Sequence, residues 1–201
     1  MPSDRNTRSR CPLRLQGYHS SQAGGYFVTI CVQRQQSPFG NVVNEEMHLN
    51  NAGHMVQTIW QGLPDRFFAT GLDLFVVMPN HFHGIILIVG AGLALPNRGA
   101  PTGAGPAAPM GAASSAPTSP TLGEVVRAFK SISATQVNRL LSRSGQPLWQ
   151  RNYFEHIIRD GKALTRIREY IATNPLRWEF DRENPHRKGE DELDRWLTSF
   201  R

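Results

Sequence analysis

Two histidines separated by one residue, in the run His81-Phe82-His83, have the spacing of a metal-binding pair. The residues that follow, Gly84 to Val89, are apolar and mostly β-branched, which favours a strand whose alternate side chains share one face. Two neutral imidazoles on one rigid surface can bind a divalent cation. The alternative is a pair of polar residues on the solvated face of a half-buried strand.

Tyr170 and Asn174 form a second pair with a meaningful spacing, because residues four apart on a helix project to the same side. Each also has an ordinary structural explanation. Tyr170 lies next to the apolar stripe of Ile167 and Ile171, where a tyrosine often borders a core. Asn174 precedes a proline, as the last residues of a helix commonly do. The spacing alone favours these structural roles.

The histidine pair and the Tyr170–Asn174 pair are positioned by a predicted series of strands and helices. Apolar periodicity and capping residues predict a chain order of β-α-β-β-α-β-α, with Pro79-Asn80 as a tight turn between two antiparallel strands. The predicted strands are 26–32, 41–49 (a short strand or hairpin arm), 72–78, 81–89 and 153–158; the predicted helices are 50–63, 121–141 and 162–173. This order predicts an α+β fold, a ferredoxin-like antiparallel sheet with helices packed on one face.

Residues 90–120 interrupt this pattern, since 26 of the 31 residues are Ala, Gly, Pro, Ser or Thr. Such a segment buries too little apolar surface to offset its ordering entropy, so we expect a flexible, disordered insertion. The predicted organisation is a basic N-terminal tail over 1–20, a single domain over 21–180 that contains this insertion, and a charged C-terminal tail over 181–201. The mixed charges of 182–195 predict a solvated surface.

Charge and composition narrow the class of protein. The 201 residues carry a formal net charge of +6, and 19 of the 22 cationic side chains are arginine, which suits phosphate. A nucleic-acid partner is therefore favoured. No apolar run could span a membrane, the N-terminus has no signal-peptide stretch, and the two cysteines lack metal-ligand spacing. We expect a cytoplasmic protein with no membrane partner.

Four motifs, taken in order, resemble the REP-associated tyrosine transposases, relatives of the single-strand insertion-sequence transposases. They are Met78-Pro79-Asn80-His81-Phe82-His83-Gly84, the run from Leu122 to Ser131, the run from Trp149 to His156, and Tyr170-Ile171-Ala172-Thr173-Asn174-Pro175. The resemblance extends from about Tyr26 to Trp178 and skips the insertion. Four motifs in the right order are far more specific than any one of them.

The resemblance implies a role for each motif residue. His81 and His83 match the metal ligands, Tyr170 matches the nucleophile, and Asn174 matches a third ligand, where the insertion-sequence relatives typically carry the longer Gln. The implied activity is cleavage and rejoining of single-stranded or hairpin DNA of the REP type. It would use Mg²⁺ or Mn²⁺ and a 5′-phosphotyrosine intermediate with a free 3′-hydroxyl. A bacterial, nucleoid-associated monomer or homodimer is expected.

Further residues complete the prediction. Arg127, Lys130, Arg151 and Arg159 are candidate DNA-binding side chains. Tyr153 is a rival nucleophile by residue type, but it lies in strand-like sequence and lacks a partner four residues later on a helix.

Two other functions stay open: a non-catalytic nucleic-acid-binding module of the same fold, and a metal-dependent phosphodiesterase that uses water.

Overall fold

The computed structural model describes residues 23–89 and 119–199. The predicted N-terminal tail over 1–20 lies outside the described residues, and so does nearly all of the predicted insertion over 90–120. The outer ends of that insertion are in contact, because the Ser119 hydroxyl donates a hydrogen bond to the Val89 carbonyl at 3.1 Å. The residues on either side of the insertion are therefore neighbours in the fold.

Six strands and five α-helices make up the described chain. The strands are β1 (Gly24–Cys31), β2 (Gly40–Val43), β3 (Glu46–Leu49), β4 (Thr70–Val77), β5 (His81–Ile88) and β6 (Phe154–Ile158). The helices are α1 (Asn51–Gln61), α2 (Leu63–Arg66), α3 (Leu122–Leu140), α4 (Gly161–Ala172) and α5 (Glu192–Thr198). A short 3₁₀ segment, Pro175–Phe180, links α4 to the residues that precede α5.

The central sheet has the strand order β4-β5-β1-β6, and every neighbouring pair is antiparallel. With α1 crossing from β1 to β4 and α3 crossing from β5 to β6, this is the ferredoxin-like arrangement that the sequence predicts. Pro79 and Asn80 form the tight connection between β4 and β5, as expected. The predicted α+β fold class is confirmed.

Local capping explains where the helices begin. The Asn50 side chain accepts hydrogen bonds from the amides of Ala52 and Gly53 at the start of α1. Thr121 and Glu124 form the capping box that the sequence predicts at the start of α3. No helix within residues 23–89 and 119–199 combines the length and the hydropathy that a membrane span requires.

One face of the sheet packs against α1 and α3 through an apolar core. Phe82 of β5 is fully buried there, with its ring centroid 4.4 Å from that of Trp60 on α1 and 5.1 Å from that of Phe129 on α3. Alternate residues of β1, including Val28 and Ile30, point into the same core. We call this side of the sheet the core face.

The prediction that helices pack on one face holds for α1 and α3 and is wrong for α4. Ile167, Tyr170 and Ile171 of α4 pack with Phe27 of β1 and Ile85 of β5, which lie on the opposite side of the sheet. The physical reason is that β1 and β5 are apolar at both alternating sets of positions, so both of their faces require cover. We call this second side the site face, because it also carries His81 and His83.

Candidate functional site

His81 and His83 lie on the site face of β5, a strand that is flanked by β4 and β1. Their ring centroids are 4.5 Å apart, and both side chains are buried, at 0% and 2% exposure. The expectation that the two imidazoles share one face is confirmed. The alternative of a solvated strand face is wrong, because α4 and the segment after it cover these residues.

The Asn80 amide fixes the proton positions of His81. Its Nδ2 donates to the carbonyl of Glu183 at 2.7 Å, so its Oδ1 is the atom that faces His81 Nδ1, at 2.9 Å. An amide oxygen only accepts, and Nδ1 of His81 must therefore carry the proton. In the neutral imidazole the opposite nitrogen, Nε2, then carries the lone pair, and this atom has no hydrogen-bond partner among the described residues.

Thr29 on β1 supports the second histidine from the neighbouring strand. Its hydroxyl lies 2.9 Å from Nδ1 of His83, and the two residues are directly paired in the β1–β5 register. Partners of this kind on the far ring nitrogen orient metal-binding histidines in proteins. Both imidazoles are thus held by a polar neighbour at Nδ1, and their Nε2 atoms remain on the side of the site.

Asn174 and Asp181 complete the cluster from the end of α4 and the segment that follows it. Asn174 Nδ2 donates to Asp181 Oδ2 at 2.8 Å, while Asn174 Oδ1 is buried without a partner among the described residues. Asp181 Oδ2 lies 3.7 Å from His81 Nε2. The potential ligand atoms of His81, His83 and Asp181 all fall within 4.8 Å of one another. Asn174 therefore reaches the histidines through its hydrogen bond to Asp181, a residue that sequence reasoning missed.

This donor set fits a divalent cation. A buried imidazole nitrogen and a buried amide oxygen that both lack partners are costly in an apolar interior, and a bound cation would satisfy both lone pairs. Asp181 contributes a negative charge, so the set is not neutral as two histidines and an amide would be. The oxygen donors suit Mn²⁺ or Mg²⁺, whereas the imidazole nitrogens are more typical of transition-metal sites, so the donor set does not select one ion.

Tyr170 lies on α4 with its hydroxyl beside the same cluster. The side chain is 2% exposed, and its hydroxyl donates to Asp194 Oδ1 at 2.8 Å and lies 3.4 Å from His83 Nε2. Burial, followed by the negative charges of Asp181 and Asp194, raises the pKa of Tyr170 well above its ordinary value. The phenol therefore holds its proton in this state.

Asp194 reaches Tyr170 from α5, a helix that the sequence analysis did not predict. Burial and the nearby charge of Asp181 raise the pKa of this carboxyl above its ordinary value. The expectation that residues 182–195 form a solvated surface is wrong at Glu183 and Asp194, which are both buried. A signal was available in Leu193, Trp196 and Leu197, whose spacing gives α5 an apolar stripe toward α4.

Arg177 links α4 to α5 behind the phenol. Nη1 of its guanidinium group donates to both carboxylate oxygens of Asp191, the residue that caps α5, at 2.8 and 2.9 Å. The same group donates to the Thr173 hydroxyl at 2.7 Å, and its central carbon lies 5.5 Å from the centre of the Tyr170 ring. This contact fixes where α5 begins, and Asp194 follows one turn later.

The rival nucleophile Tyr153 lies on the other side of the sheet. It is half-buried against the core that β1, α1 and α3 share, while His81, His83 and Tyr170 belong to the site face. A phenol at Tyr153 is therefore separated from the candidate ligands by the sheet itself. The geometry favours Tyr170, in agreement with the helical spacing.

The four predicted DNA-binding residues differ in their surroundings. Arg127, Arg151 and Arg159 are exposed, which leaves their guanidinium groups accessible. Lys130 is half-buried, and its ammonium donates to the carbonyls of Gln150 and Arg151 at 2.8 Å and approaches that of Asn152 at 3.5 Å. Because an ammonium has three donors, Lys130 is committed to holding the segment before β6.

Comparison with known proteins places the chain among relatives. No family model matches it. Among solved structures, it is similar to a REP-associated tyrosine transposase bound to a REP hairpin (18% identity, 81% of this chain and 72% of the other, TM-score 0.49). It is also similar to a candidate transposase of Deinococcus radiodurans (15% identity, 79% and 95% coverage, TM-score 0.42).

The sequence comparison gives a nearer relative. An uncharacterized protein of Haemophilus influenzae is 39% identical over 184 residues, which cover 86% of this chain and 91% of that protein. Identity at this level over nearly the whole length of both chains implies a shared fold and a shared ancestor. The chain belongs to the same family as this Haemophilus influenzae protein.

Proposed function

We propose that the protein is a metal-dependent tyrosine transposase that cleaves and rejoins single-stranded or hairpin DNA. The observation that carries this proposal is the convergence of His81, His83 and Asn174 with the Tyr170 hydroxyl in one buried cluster. His81 and His83 come from a motif on a strand, and Tyr170 and Asn174 come from a helical motif about 90 positions later. A purely structural explanation of either motif does not require them to meet.

The four sequence motifs support the same proposal independently. They resemble the REP-associated tyrosine transposases in order and content, and a structure of such a transposase, bound to a REP hairpin, is among those to which this chain is similar. We infer that a REP-type hairpin is the substrate. Arg127, Arg151 and Arg159 are exposed cations that we expect to contact its phosphates.

In the proposed reaction the chain's own residues bind the ion, orient the nucleophile and keep water out of the site. His81, His83, Asp181 and Asn174 would hold a Mn²⁺ or Mg²⁺ ion, which when bound supplies positive charge to the scissile phosphate. The Tyr170 oxygen attacks the phosphorus, and a 5′-phosphotyrosine link forms as the 3′ oxygen leaves. Because the link keeps a phosphodiester bond, a 3′-hydroxyl can reverse the step and rejoin DNA without ATP.

A labelled single-stranded REP-type hairpin provides the test. The protein is incubated with it in Mn²⁺, in Mg²⁺ or in excess chelator, and a covalent protein–DNA adduct is sought on a denaturing gel. We expect an adduct with metal, none with chelator and none in Tyr170→Phe, which keeps the ring against Phe27 and His83. In His81→Ala and His83→Ala, hairpin binding should stay within about tenfold, because phosphate contacts dominate affinity.

Tyr153→Phe is the matched control, since it removes a phenol from the other side of the sheet. It should form the adduct as the unmodified protein does. An adduct that persists in Tyr170→Phe and disappears in Tyr153→Phe would move the active site to another element. Cleavage without an adduct would indicate a phosphodiesterase that uses water, and binding without cleavage would indicate a non-catalytic module.

A further inference from the structure

The carboxylate of Asp194 is held in one orientation at the Tyr170 hydroxyl. Its Oδ1 accepts the phenol hydrogen bond at 2.8 Å, and its Oδ2 accepts from the Arg182 backbone amide at 3.1 Å. With 8% of the residue exposed, the group is largely shielded from solvent. Both oxygens are engaged, so the acceptor cannot turn away from the phenol without losing a second contact.

The surroundings of the phenol distinguish Asp194 from the other polar neighbour. His83 Nε2 lies 3.4 Å from the hydroxyl oxygen, which is 0.6 Å longer than the contact with Asp194. In the proposed site that nitrogen is also a metal ligand, so its lone pair is committed elsewhere. The proton on the phenol therefore points to the carboxylate.

We propose that Asp194 is the proton acceptor for the nucleophile Tyr170, which makes α5 part of the active site. This inference rests on the proposed function. As the bond between the Tyr170 oxygen and phosphorus forms, the phenol proton passes to Oδ1 of Asp194. The bond between phosphorus and the 3′ oxygen breaks, and that oxygen keeps the electron pair and takes a proton from water. Rejoining reverses these transfers.

The contacts behind α5 fit a group that must keep its position. Asp191 caps the helix and accepts two hydrogen bonds from the Arg177 guanidinium, as described above. At the other end of α5, Leu197 is buried against α4, and the Arg166 guanidinium of α4 stacks 4.6 Å over the Trp196 ring. Contacts at both ends of α5 thus set the distance between Asp194 and Tyr170, and proton transfer requires that this distance be short.

The test measures the single-turnover rate of adduct formation on the REP-type hairpin with Mn²⁺. Asp194→Asn keeps the shape of the side chain, so we expect an unchanged melting temperature and hairpin affinity with a rate about 10²- to 10⁴-fold lower. Glu192→Gln, at an exposed position of the same helix, should leave the rate unchanged. Asp194→Glu retains a carboxylate and should react faster than Asp194→Asn.

A more acidic phenol distinguishes proton acceptance from a structural role. With 3-fluorotyrosine at position 170, the nucleophile loses its proton more easily, so the rate difference between the unmodified protein and Asp194→Asn should shrink. A difference that stays the same would overturn the proposal. Equal rates would do so too, and a faster Asp194→Asn would show that the carboxylate restrains the phenol. If the unmodified protein forms no adduct, the proposed function itself fails.

Discussion

The two faces of the central sheet are built on the same strands, yet they bury different chemistry. On the core face, Phe82 contacts Trp60 and Phe129, and the cluster around them is apolar. On the site face, His81 and His83, the neighbours of Phe82 in the chain, are equally buried beside the carboxylate of Asp181. A change of one residue along β5 therefore moves from an apolar packing position to a position that carries potential ligand atoms.

The buried atoms without partners sharpen this difference. Buried polar atoms without a partner also occur away from the site, at Trp60 Nε1, Thr70 Oγ1 and Asn138 Oδ1 among the described residues. The site face differs because its two unpaired acceptors, His81 Nε2 and Asn174 Oδ1, belong to residues that both contact Asp181. Two unpaired acceptors beside one buried carboxylate are unfavourable for the fold alone. The comparison teaches that apolar packing is concentrated on one face and the candidate ligand atoms on the other.

The largest expected effect comes from the core face. Phe82→Ala removes a fully buried ring between Trp60 and Phe129, and we expect the free energy of unfolding to fall by about 3–5 kcal/mol. Urea denaturation followed by circular dichroism measures this loss. Leu74→Ala, at an exposed position of β4, is the control and should change stability by less than about 0.5 kcal/mol. A loss below about 1 kcal/mol in Phe82→Ala would contradict the assignment of stability to the core face.

On the site face, Asp181→Asn should separate stability from metal binding. It removes a buried negative charge, and the Asn174 amide can turn to offer its unpaired oxygen to the new amide. We expect unfolding free energy without metal to be unchanged within about 1 kcal/mol, or higher. The affinity for Mn²⁺, measured by electron paramagnetic resonance titration, should fall about tenfold or more.

Glu179→Gln is the matched control for this change. It neutralises an exposed carboxylate two residues away, which pairs only with the surface residue Lys188 among the described residues. Its Mn²⁺ affinity should match that of the unmodified protein. Equal Mn²⁺ affinity in Asp181→Asn would remove this carboxylate from the metal site.

The smallest effect concerns the segment of chain between β5 and α3. Val89 and Ser119 are in contact, so a four-residue Gly-Ser linker can replace residues 91–118. A shorter closed loop loses less entropy on folding, and we expect a gain of about 1–2 kcal/mol with unchanged adduct formation. A thermal melt followed by circular dichroism checks the prediction. Loss of a cooperative transition would show that the insertion supports the fold.

Local signals in the sequence predicted most of the fold. Thr121 and Glu124 form the expected capping box, and the turn at Pro79 and Asn80 sets the antiparallel pairing of β4 and β5. The shared face of His81 and His83 follows from strand periodicity alone. These features depend on residues within a few positions of one another, so the sequence displays them directly.

Long-range contacts account for the features of the fold and the site that the sequence did not predict. Asp181 and Asp194 lie in a stretch of mixed charge, whose composition indicates exposure, and only packing of α5 onto α4 buries Asp194. Lys130 is basic like its arginine neighbours, but its carbonyl partners lie about 20 residues further along the chain. No local pattern reports such partners. The position of α4 on the site face depended likewise on both faces of β1 and β5 being apolar.

The contact between Val89 and Ser119 also divides the chemistry into two pieces of chain. The piece before it carries His81 and His83, and the piece after it carries Tyr170, Asn174 and Asp194. The ladder between β1 and β6 and the packing of α1 on α3 join the pieces without using the backbone between them. We therefore expect a break inside the insertion to leave two fragments that each lack part of the candidate site and regain it by reassociating. The protein can in this sense be divided into a complementing pair.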